Sequence, residues 1–232
     1  MSSSPDQLQR IYSRRFDAEQ EHRDRVWRIL IDDFFKKYVP QKGAVLDLGC
    51  GYGHFINQVE CSKRLAMDLN PNASNFIQPG VVLLQQDCSE PWNLPASSLD
   101  LVFTSNFFEH LPTKELLSRT LAQAYACLVP GGKLVAMGPN VKVVPGSYWD
   151  FFDHHLALTE LSLSEALELE GFKVAECVPR FLPYTMAGKR PQHSFLIRLY
   201  LKLPMAWRWF GQQFLIVAEK PLDTSAIPSN DV

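Results

Sequence analysis

The sequence predicts an α/β fold, a doubly wound sheet of about seven strands with helices on both faces. Short apolar runs alternate with helix-like stretches along most of the chain, which is typical of parallel strands joined by helical crossovers. The clearest unit is the apolar run Val45–Leu48, followed by the glycine-rich turn Gly49–Gly53 and the helix-like stretch His54–Glu60. Glycines there allow a sharp turn and a close approach of the backbone to a ligand.

The other elements follow from apolar runs and from the residues that end them. A helical segment is predicted from about Leu8 to Tyr38, and Pro40 and Gly43 close it. Further helices are expected at about 113–128, where Pro130-Gly131-Gly132 ends the helix, and at 159–170. The remaining strands are expected at 64–69, 81–86, 99–105, 132–138, 172–177 and 213–219. We expect a helical lid segment over 1–42, one main domain over 43–221 with a substrate-capping insertion over 178–212, and a tail over 222–232.

Composition limits the classes of function. A chain of 232 residues that is 46% hydrophobic can form one domain with a sizeable core, and a net charge of -2 argues against a strongly basic surface for nucleic acid. The five cysteines include no CxxC pair, which indicates free thiols in a reducing compartment. The polar N-terminal stretch lacks the apolar core of a signal peptide, and no transmembrane span is predicted. The predicted location is the cytoplasm.

Polar side chains stand where successive strands are predicted to end. Asp47 ends the first strand, Asp68 the second, Asp87 the third, and Ser105 and Asn106 the fourth. Taken singly, each acid could simply cap a turn or a helix. Ligands of parallel sheets bind beyond the carboxyl ends of the strands, so the joint placement indicates a ligand site.

These motifs resemble those of the class I S-adenosylmethionine-dependent methyltransferases, from about Val45 to Lys220. The acid and G-x-G-x-G motif of that family stands here as Asp47-Leu48-Gly49-Cys50-Gly51-Tyr52-Gly53. Asp68, Asp87 and the Pro130-Gly131-Gly132 turn match its later motifs. A nicotinamide-binding domain is the competing interpretation, but its G-x-G-x-x-G spacing is not met. The resemblance implies a Rossmann-like sheet with an antiparallel last strand, and S-adenosylmethionine as the cofactor.

The resemblance also implies roles for particular residues. Asp68 would accept the ribose hydroxyls, Asp87 and the Cys88 N–H would contact the adenine, and Asn106 would meet the methionine end. Tyr12 and Arg15 are candidate lid residues on the first helix. The full set of predicted cofactor-binding residues is Asp47, Gly49, Cys50, Gly51, Asp68, Leu69, Asp87, Cys88 and Asn106.

Methyl transfer from a sulfonium mainly requires alignment of nucleophile, methyl group and sulfur. A base is needed only when the acceptor must lose a proton, and histidine titrates in the right range. The candidates are His110, His154 and His155, with His154 and His110 predicted as catalytic. His154 and His155 are adjacent and point in different directions, so at most one faces the donor. The structural alternative is a loop histidine bound by Asp150 or Asp153.

The pattern Asn106-x-x-Glu109-His110 is similar to the metal-binding pattern of quinone-pathway O-methyltransferases, which has a glutamate where Asn106 stands. That departure leaves two good ligands. We predict no metal, and a Glu-His pair that orients its loop.

Aromatic residues in the loops indicate where an acceptor binds, although aromatics of this kind also form cores. The predicted substrate-pocket residues are Phe107, Tyr148, Trp149, Phe152 and Tyr184. Residues 194–210 combine apolar and basic side chains. They are interpreted as a lid, a partner surface or a patch that contacts lipid, and the lid is favoured.

The predicted function is O-methylation of a small molecule, a natural-product, sugar or quinone-like acceptor, by a monomer or homodimer. The alternatives are N- or C-methylation, or a non-catalytic protein of the same fold that binds a partner through 194–210. Nucleic-acid methylation is disfavoured, because Ser105-Asn106-Phe107-Phe108 stands where base-amino methyltransferases have Asp/Asn-Pro-Pro-aromatic.

Overall fold

A computed structural model of the protein describes residues 20–184 and 193–222, and within them seven strands form one sheet. The strands are β1 Ala44–Leu48, β2 Lys63–Met67, β3 Val81–Leu84, β4 Leu99–Ser105, β5 Leu128–Pro139, β6 Lys173–Val178 and β7 Gln213–Glu219. They run in the spatial order β3-β2-β1-β4-β5-β7-β6, and β7 is antiparallel to both of its neighbours. The pairs within β3-β2-β1-β4-β5 are parallel.

Helices cover both faces of this sheet, so the predicted fold class is confirmed. Side chains alternate along β1. Leu46 and Leu48 pack into a core with the helices at 114–127 and 160–169, while Val45 packs into a second core with the helices at 20–33 and 194–201. All five residues of β1 are buried, as expected for a strand with helices on both sides. The α-helices of the described residues are α1 Gln20–Asp33, α2 Lys114–Cys127, α3 Glu160–Leu169, α4 Ser194–Leu201 and α5 Pro204–Phe210.

Threonine side chains fix where two of the helices begin. The Thr113 hydroxyl accepts from the Leu116 N–H at the start of α2. Thr159 and Ser162 form a reciprocal capping box at the start of α3. Such caps satisfy amide groups that the first turn leaves without partners and contribute about 1 kcal/mol each. The predicted starts at 113 and 159 therefore lie within one residue of the observed ones.

Three predicted elements need correction. The stretch His54–Glu60 forms turns rather than a helix, since the Asn57 side chain binds the Phe76 carbonyl and the Gln78 amide, and so short a helix is marginal without support. Pro130-Gly131-Gly132 lies inside β5 rather than before it, because the Gly131 N–H and the Gly132 carbonyl pair with Lys220. The first helix is described only from Gln20 and ends at Asp33, so Tyr12 and Arg15 lie outside the described residues.

The insertion between β6 and β7 packs beside the N-terminal helix. Arg198 of α4 forms an ion pair with Asp33 at the end of α1. Ile197 and Leu201 of α4 enter the same core as α1, while no residue of α5 is buried. None of the described helices combines the length and the apolar character that crossing a bilayer requires.

Candidate active site

A cavity of about 370 Å³ lies at the carboxyl ends of β1 and β4, enclosed by α1 on its outer side. The sheet contributes Asp47, Phe103 and Met137, and α1 contributes His22, Arg23, Val26, Trp27 and Leu30. A volume of this size holds a small organic ligand. Its walls combine an apolar majority with a few buried polar groups, which is the usual character of a small-molecule site.

The glycine loop forms one wall of the cavity. Gly49, Gly51 and Gly53 adopt positive φ angles of 69°, 53° and 70°, a conformation that favours glycine. A Cβ at Gly49 would lie 2.3 Å from the Phe107 ring, so space as well as backbone conformation excludes a side chain there. The amides of Gly49 and Cys50 both donate to the Met67 carbonyl, which ties the loop to the end of β2. The alternate glycine spacing in the sequence thus reflects three left-handed residues.

Two carboxyl groups lie beside this loop. Asp47 lines the cavity, and its Oδ2 accepts from the Ile56 N–H at 3.3 Å. Burial raises the pKa of Asp47 to about 8. Asp68 does not line the cavity: its two oxygens accept from the amides of Gly51 and Asn70, each at 2.8 Å. Burial also raises the pKa of Asp68, and these hydrogen bonds oppose that shift.

The remaining predicted cofactor residues divide between the cavity and its surroundings. Cys50 and Asn106 line the cavity, and Asn106 has a φ of 51° with its amide donating to the Met137 carbonyl. Leu69, Asp87 and Cys88 lie outside it. One Asp87 oxygen accepts from both the amide and the hydroxyl of Ser89, so it caps a turn. Burial raises the pKa of the Cys88 thiol to about 12, and its carbonyl accepts from the Trp92 indole.

Three ionisable side chains meet in the cavity, and we call Glu109, His110 and His154 the histidine cluster. One potential ligand atom from each lies within 4.8 Å of the others. Glu109 and His110 come from the turn Phe108–His110 after β4. The Glu109 carbonyl accepts from the amides of His155 and Leu156, which joins this turn to the later loop. Residues about 45 positions apart in sequence are thereby brought into one group.

His110 has the geometry of an oriented base. Its Nδ1 lies 3.0 Å from the Asp153 carbonyl and 3.2 Å from Asp153 Oδ2. Since both neighbours are acceptors, Nδ1 carries the proton, and the lone pair of the neutral ring is on Nε2. Burial lowers the pKa of His110, but the Asp153 hydrogen bond and the charges of Glu109 and Asp153 outweigh burial, so that the pKa is raised.

Glu109 and His154 complete the cluster. The Glu109 side chain is buried, and burial raises its pKa to about 6 against the opposing charge of His110. The His154 ring stacks on Phe151 and meets His110 and Tyr148 edge-on, with ring centroids 4.8 to 5.0 Å apart. His155 is exposed and does not line the cavity. The ring shown to bind Asp153 is that of His110.

Of the predicted substrate-pocket residues, the cavity contains Tyr184 and no other. Phe107 packs beneath Gly49, and Tyr148 is fully buried with its hydroxyl donating to the Leu156 carbonyl. Trp149 and Phe152 are exposed. The loop 148–155, which we call the aromatic loop, therefore places Phe151, rather than the residues on either side of it, at the cavity wall.

Several lining residues carry no signal in the sequence. His54 and Gln213 each present a buried polar atom, Nε2 and Oε1, with no hydrogen-bond partner among the described residues. The other nitrogen of His54, Nδ1, lies 2.7 Å from Asp24 Oδ1 and so donates to it, which makes Nε2 an acceptor in the neutral ring. Burial lowers the pKa of His54, against the opposing effect of Asp24. Both atoms are thus acceptors that face a ligand space.

The histidine cluster also has the ligand types that bind a divalent metal, one carboxylate and two imidazoles. His154 is the member that the sequence pattern did not supply. The Asp153 contact at His110 Nδ1 leaves Nε2 as the ligand atom, which is how metal-binding histidines are commonly held. The prediction that no metal binds stays a prediction.

A family model described as a methyltransferase domain matches residues 20–176, about two thirds of the chain. The chain belongs to this methyltransferase family. The predicted class, a class I S-adenosylmethionine-dependent methyltransferase, is confirmed, and S-adenosylmethionine is its cofactor. A search of curated proteins found no significant match.

Solved structures show the same fold for this methyltransferase. A SAM-dependent methyltransferase from Archaeoglobus fulgidus is 22% identical, with a TM-score of 0.64 over 85% of this chain and 94% of that one. A complex of the Trm112 methyltransferase activator with a methyltransferase from Haloferax volcanii matches at 20% identity and TM-score 0.64, over 88% and 93%. The [4+2]-cyclase SpnF matches at 14% identity and TM-score 0.56, over 86% and 81%.

The residues of this methyltransferase fit its cofactor. The methionine part of S-adenosylmethionine carries an ammonium and a carboxylate beside the sulfonium. Acceptor atoms of the kind found at His54 and Gln213 are what an ammonium requires, and a guanidinium such as that of Arg23, which also lines the cavity, is what a carboxylate requires. Gly49 and Gly51 line the cavity, so the glycine loop presents backbone to a ligand there.

Proposed function

We propose that this methyltransferase transfers the methyl group to an oxygen of a small-molecule acceptor, which is a natural-product, sugar or quinone-like compound. The observation that carries the proposal is the contact between half-buried His110, which lines the same cavity as the glycine loop, and buried Asp153. An alcohol or phenol must lose a proton before or during methyl transfer, and a histidine held by a carboxylate can take that proton. A cavity enclosed by α1 suits a small acceptor rather than a nucleic acid.

The residues divide the work of the reaction. S-adenosylmethionine supplies an electrophilic methyl group on a positively charged sulfur. The glycine loop, Asp47 and Asn106 would hold the donor, and the apolar wall formed by Trp27, Phe103 and other side chains excludes water. Asp153 orients His110 so that Nε2 accepts the acceptor's proton. Alignment of this kind can lower a barrier by up to about 7 to 11 kcal/mol.

His154 is the second proposed catalytic residue. It lines the same cavity and its ring meets His110 edge-on, with centroids 4.9 Å apart. A base role for His154 requires that its ring reach the acceptor directly, whereas the Asp153 contact gives His110 a defined tautomer. Single substitutions of the two residues separate these roles.

The domain boundaries remain part of the proposal. Of the predicted lid segment 1–42, residues 1–19 lie outside the described residues; we propose that helix α1, which lines the cavity with five residues, acts as the lid. The insertion 178–212 contributes Leu182 and Tyr184 to the wall, while none of the residues of α4 and α5 lines it. Among the described residues of the insertion, the proposed substrate cap therefore consists of Leu182 and Tyr184.

The test is incubation of the full chain with a small-molecule metabolite pool and S-adenosylmethionine that carries an isotopically labelled methyl group. Mass spectrometry should find one labelled product class, and tandem spectra should place the label on oxygen. A label on nitrogen or carbon would contradict O-methylation but would still support methyltransferase activity. Cofactor binding by calorimetry without any labelled product would contradict the enzymatic proposal and favour a protein that binds a partner.

A second candidate function is a reaction other than methyl transfer in the same cavity. The structure described as the [4+2]-cyclase SpnF has this fold, so the fold alone does not define the reaction. In that case the acceptor pool would change in composition without acquiring the label. The cytoplasmic location is also a proposal, supported by the five free cysteines in the described residues.

A further inference from the structure

The α4–α5 segment exposes a large apolar surface that the cavity does not use. Seven apolar side chains of this segment are between 42% and 78% exposed. They are Phe195, Leu196, Leu199, Leu203, Met205, Trp209 and Phe210. Monomeric proteins rarely expose a continuous surface of this kind unless it contacts a partner or a membrane. We call these residues the insertion patch.

Helical spacing separates the exposed apolar residues of α4 from its buried ones. Ile197 and Leu201, four residues apart, turn into the core beside α1. Leu196, Leu199 and Leu203 recur at the spacing of a separate stripe and are exposed. Helix α4 is thus apolar on both sides. In α5, Met205 and Trp209 are again one turn apart, and no side chain of this helix is buried.

Basic residues alternate with the patch. Residues 193–210 include Arg198, Lys202 and Arg208 and no acidic residue, although the whole chain has a net charge of -2. Arg180 adds a further cation, since its guanidinium donates to the Arg208 carbonyl. Asp33, the acid that pairs with Arg198, is mostly covered. The outward face is therefore both apolar and positive.

We propose that the insertion patch docks the protein on the surface of an anionic lipid bilayer. Aromatic side chains beside Lys and Arg suit the boundary between acyl chains and negatively charged headgroups. The core of a protein interface is depleted in Lys, whereas here cations recur among the apolar residues. A two-fold contact with a second copy would bring Lys202 and Arg208 of both copies together, where they repel.

The insertion also joins this surface to the cavity. The chain leaves the cavity wall at Tyr184 and returns to it at Gln213, and α4 and α5 lie between these two points. Docking through the patch would therefore hold the cavity near the lipid surface. The proposal does not depend on the reaction, because the patch and the cavity share no residue.

The experiment is co-sedimentation of the full chain with phosphatidylcholine vesicles, with and without phosphatidylglycerol. Binding should require phosphatidylglycerol and weaken in high salt. W209S/F210S should lose at least about tenfold in partitioning, because it removes apolar area from the docked face. K202E/R208E should lose about fivefold or more for each charge. The matched control L161S/L169S changes two exposed apolar residues of α3 and should bind as the wild type does.

A second measurement keeps the proposal testable if a double variant is unstable. Brominated phosphatidylglycerol vesicles should quench tryptophan fluorescence, and the conservative variant W209F should lose much of that quenching. W149F, which changes an exposed tryptophan outside the patch, should keep it. The proposal would be overturned if the wild-type protein did not bind anionic vesicles, or if W209S/F210S bound them as well as the wild type does. A dimer that W209S/F210S dissociates, in the absence of vesicle binding, would also overturn it.

Discussion

The glycine loop with Asp68 and Asp87 differs from the histidine cluster in what its polar groups bind. The carboxylates of Asp68 and Asp87 already accept hydrogen bonds from nearby backbone amides, and both lie outside the cavity. Glu109, His110 and His154 are buried or half-buried, face the cavity and come from two distant loops. Asp68 bonds to the glycine loop and Asp87 caps its own turn, whereas the histidine cluster presents ionisable atoms to a ligand.

The difference explains which part of the site sequence motifs can reveal. A motif residue that shapes its own turn stands at a fixed distance from the glycines it supports. A cluster built by tertiary contact has no such spacing. If the two groups divide the work in this way, substitutions in each group should have different effects on cofactor binding, turnover and stability.

Asp68→Ala should abolish measurable binding of S-adenosylmethionine. The change leaves the Gly51 and Asn70 amides, which Asp68 holds beside the cavity, without their acceptor, and this costs about 1 to 3 kcal/mol for each buried group. Calorimetry measures the first effect and urea unfolding the second. Asp68→Asn, which keeps one acceptor oxygen, is the matched control and should be less severe. A destabilised variant with normal cofactor affinity would limit Asp68 to a structural role.

His110→Ala should lower turnover by about 10²- to 10⁴-fold with cofactor affinity unchanged. His154→Ala should lower it by well over about tenfold if that ring also takes part in proton transfer. Initial rates with labelled cofactor measure both. Full activity of His110→Ala would exclude it as the base.

The pH profile tests the same pair by another route. A base must be neutral, so turnover should fall as pH drops through the pKa of His110, which is raised. Asp153→Asn removes part of the cause of that raised pKa, so the midpoint should move to lower pH. A purely structural role for Asp153 would lower activity at every pH and leave the midpoint in place.

Asp47→Asn should flatten the pH dependence of stability. The folded protein holds a proton on Asp47 up to a pKa of about 8, whereas the ordinary value is 3.8. Between these values the folded state binds more protons than the unfolded state, so wild-type stability falls as pH rises through this window, by at most about 1.4 kcal/mol for each pH unit. Urea unfolding at pH 5 and pH 8 should show the variant gaining roughly 2 to 4 kcal/mol relative to wild type. Parallel curves would contradict the protonated state.

Gly49→Ala should destabilise the protein by about 1 to 3 kcal/mol, because the residue has a positive φ and the new methyl group meets the Phe107 ring. Combining it with Phe107→Ala should recover part of that cost, since the double variant has no ring to clash with. Gly146→Ala is the control: its φ is -77° and a Cβ there meets nothing within 4 Å. Its effect should be within about 0.5 kcal/mol. Additive losses at 49 and 107 would show that backbone strain dominates.

Chelation should have the smallest effect. If Glu109, His110 and His154 act without a metal, dialysis against EDTA leaves turnover and unfolding unchanged. Elemental analysis of the purified protein is the independent measurement. Loss of activity on dialysis, with recovery on adding a divalent cation, would assign the cluster a metal.

The sequence predicted the sheet well because its strands are apolar runs that are clearly bounded by turn residues. The bounds of β4 and β7 were as predicted, and the capped starts of α2 and α3 were within one residue. His54–Glu60 failed because Asn57 bonds to a distant turn, a contact that local propensity does not contain. Pro130-Gly131-Gly132 was misplaced because its pairing partner, Lys220, is remote in sequence.

Only part of the site could be predicted from the sequence, for a related reason. The glycine loop and Asp47 could be located from spacing, since the turn itself requires them. The sequence could not show which residues of the aromatic loop line the cavity. Phe151 lies at the cavity wall while Phe152 is exposed, and composition does not distinguish such neighbours. Arg23 and Gln213 reach the cavity only through the packing of α1 and β7, which no local pattern describes.

The aromatic rings that pack α1 against the sheet lead us to expect that ligands exchange by release of this helix. Trp27 lies about 6 Å from Phe35, Phe55 and Phe103, and the Phe55 and Phe103 rings stack at 3.7 Å. Separating such contacts exposes several large rings at once, so α1 should leave the sheet as a unit rather than residue by residue. Amide hydrogen exchange of α1 should then be slow and concerted. Bound cofactor should slow it further, so that opening of this one helix sets the rate at which ligands leave.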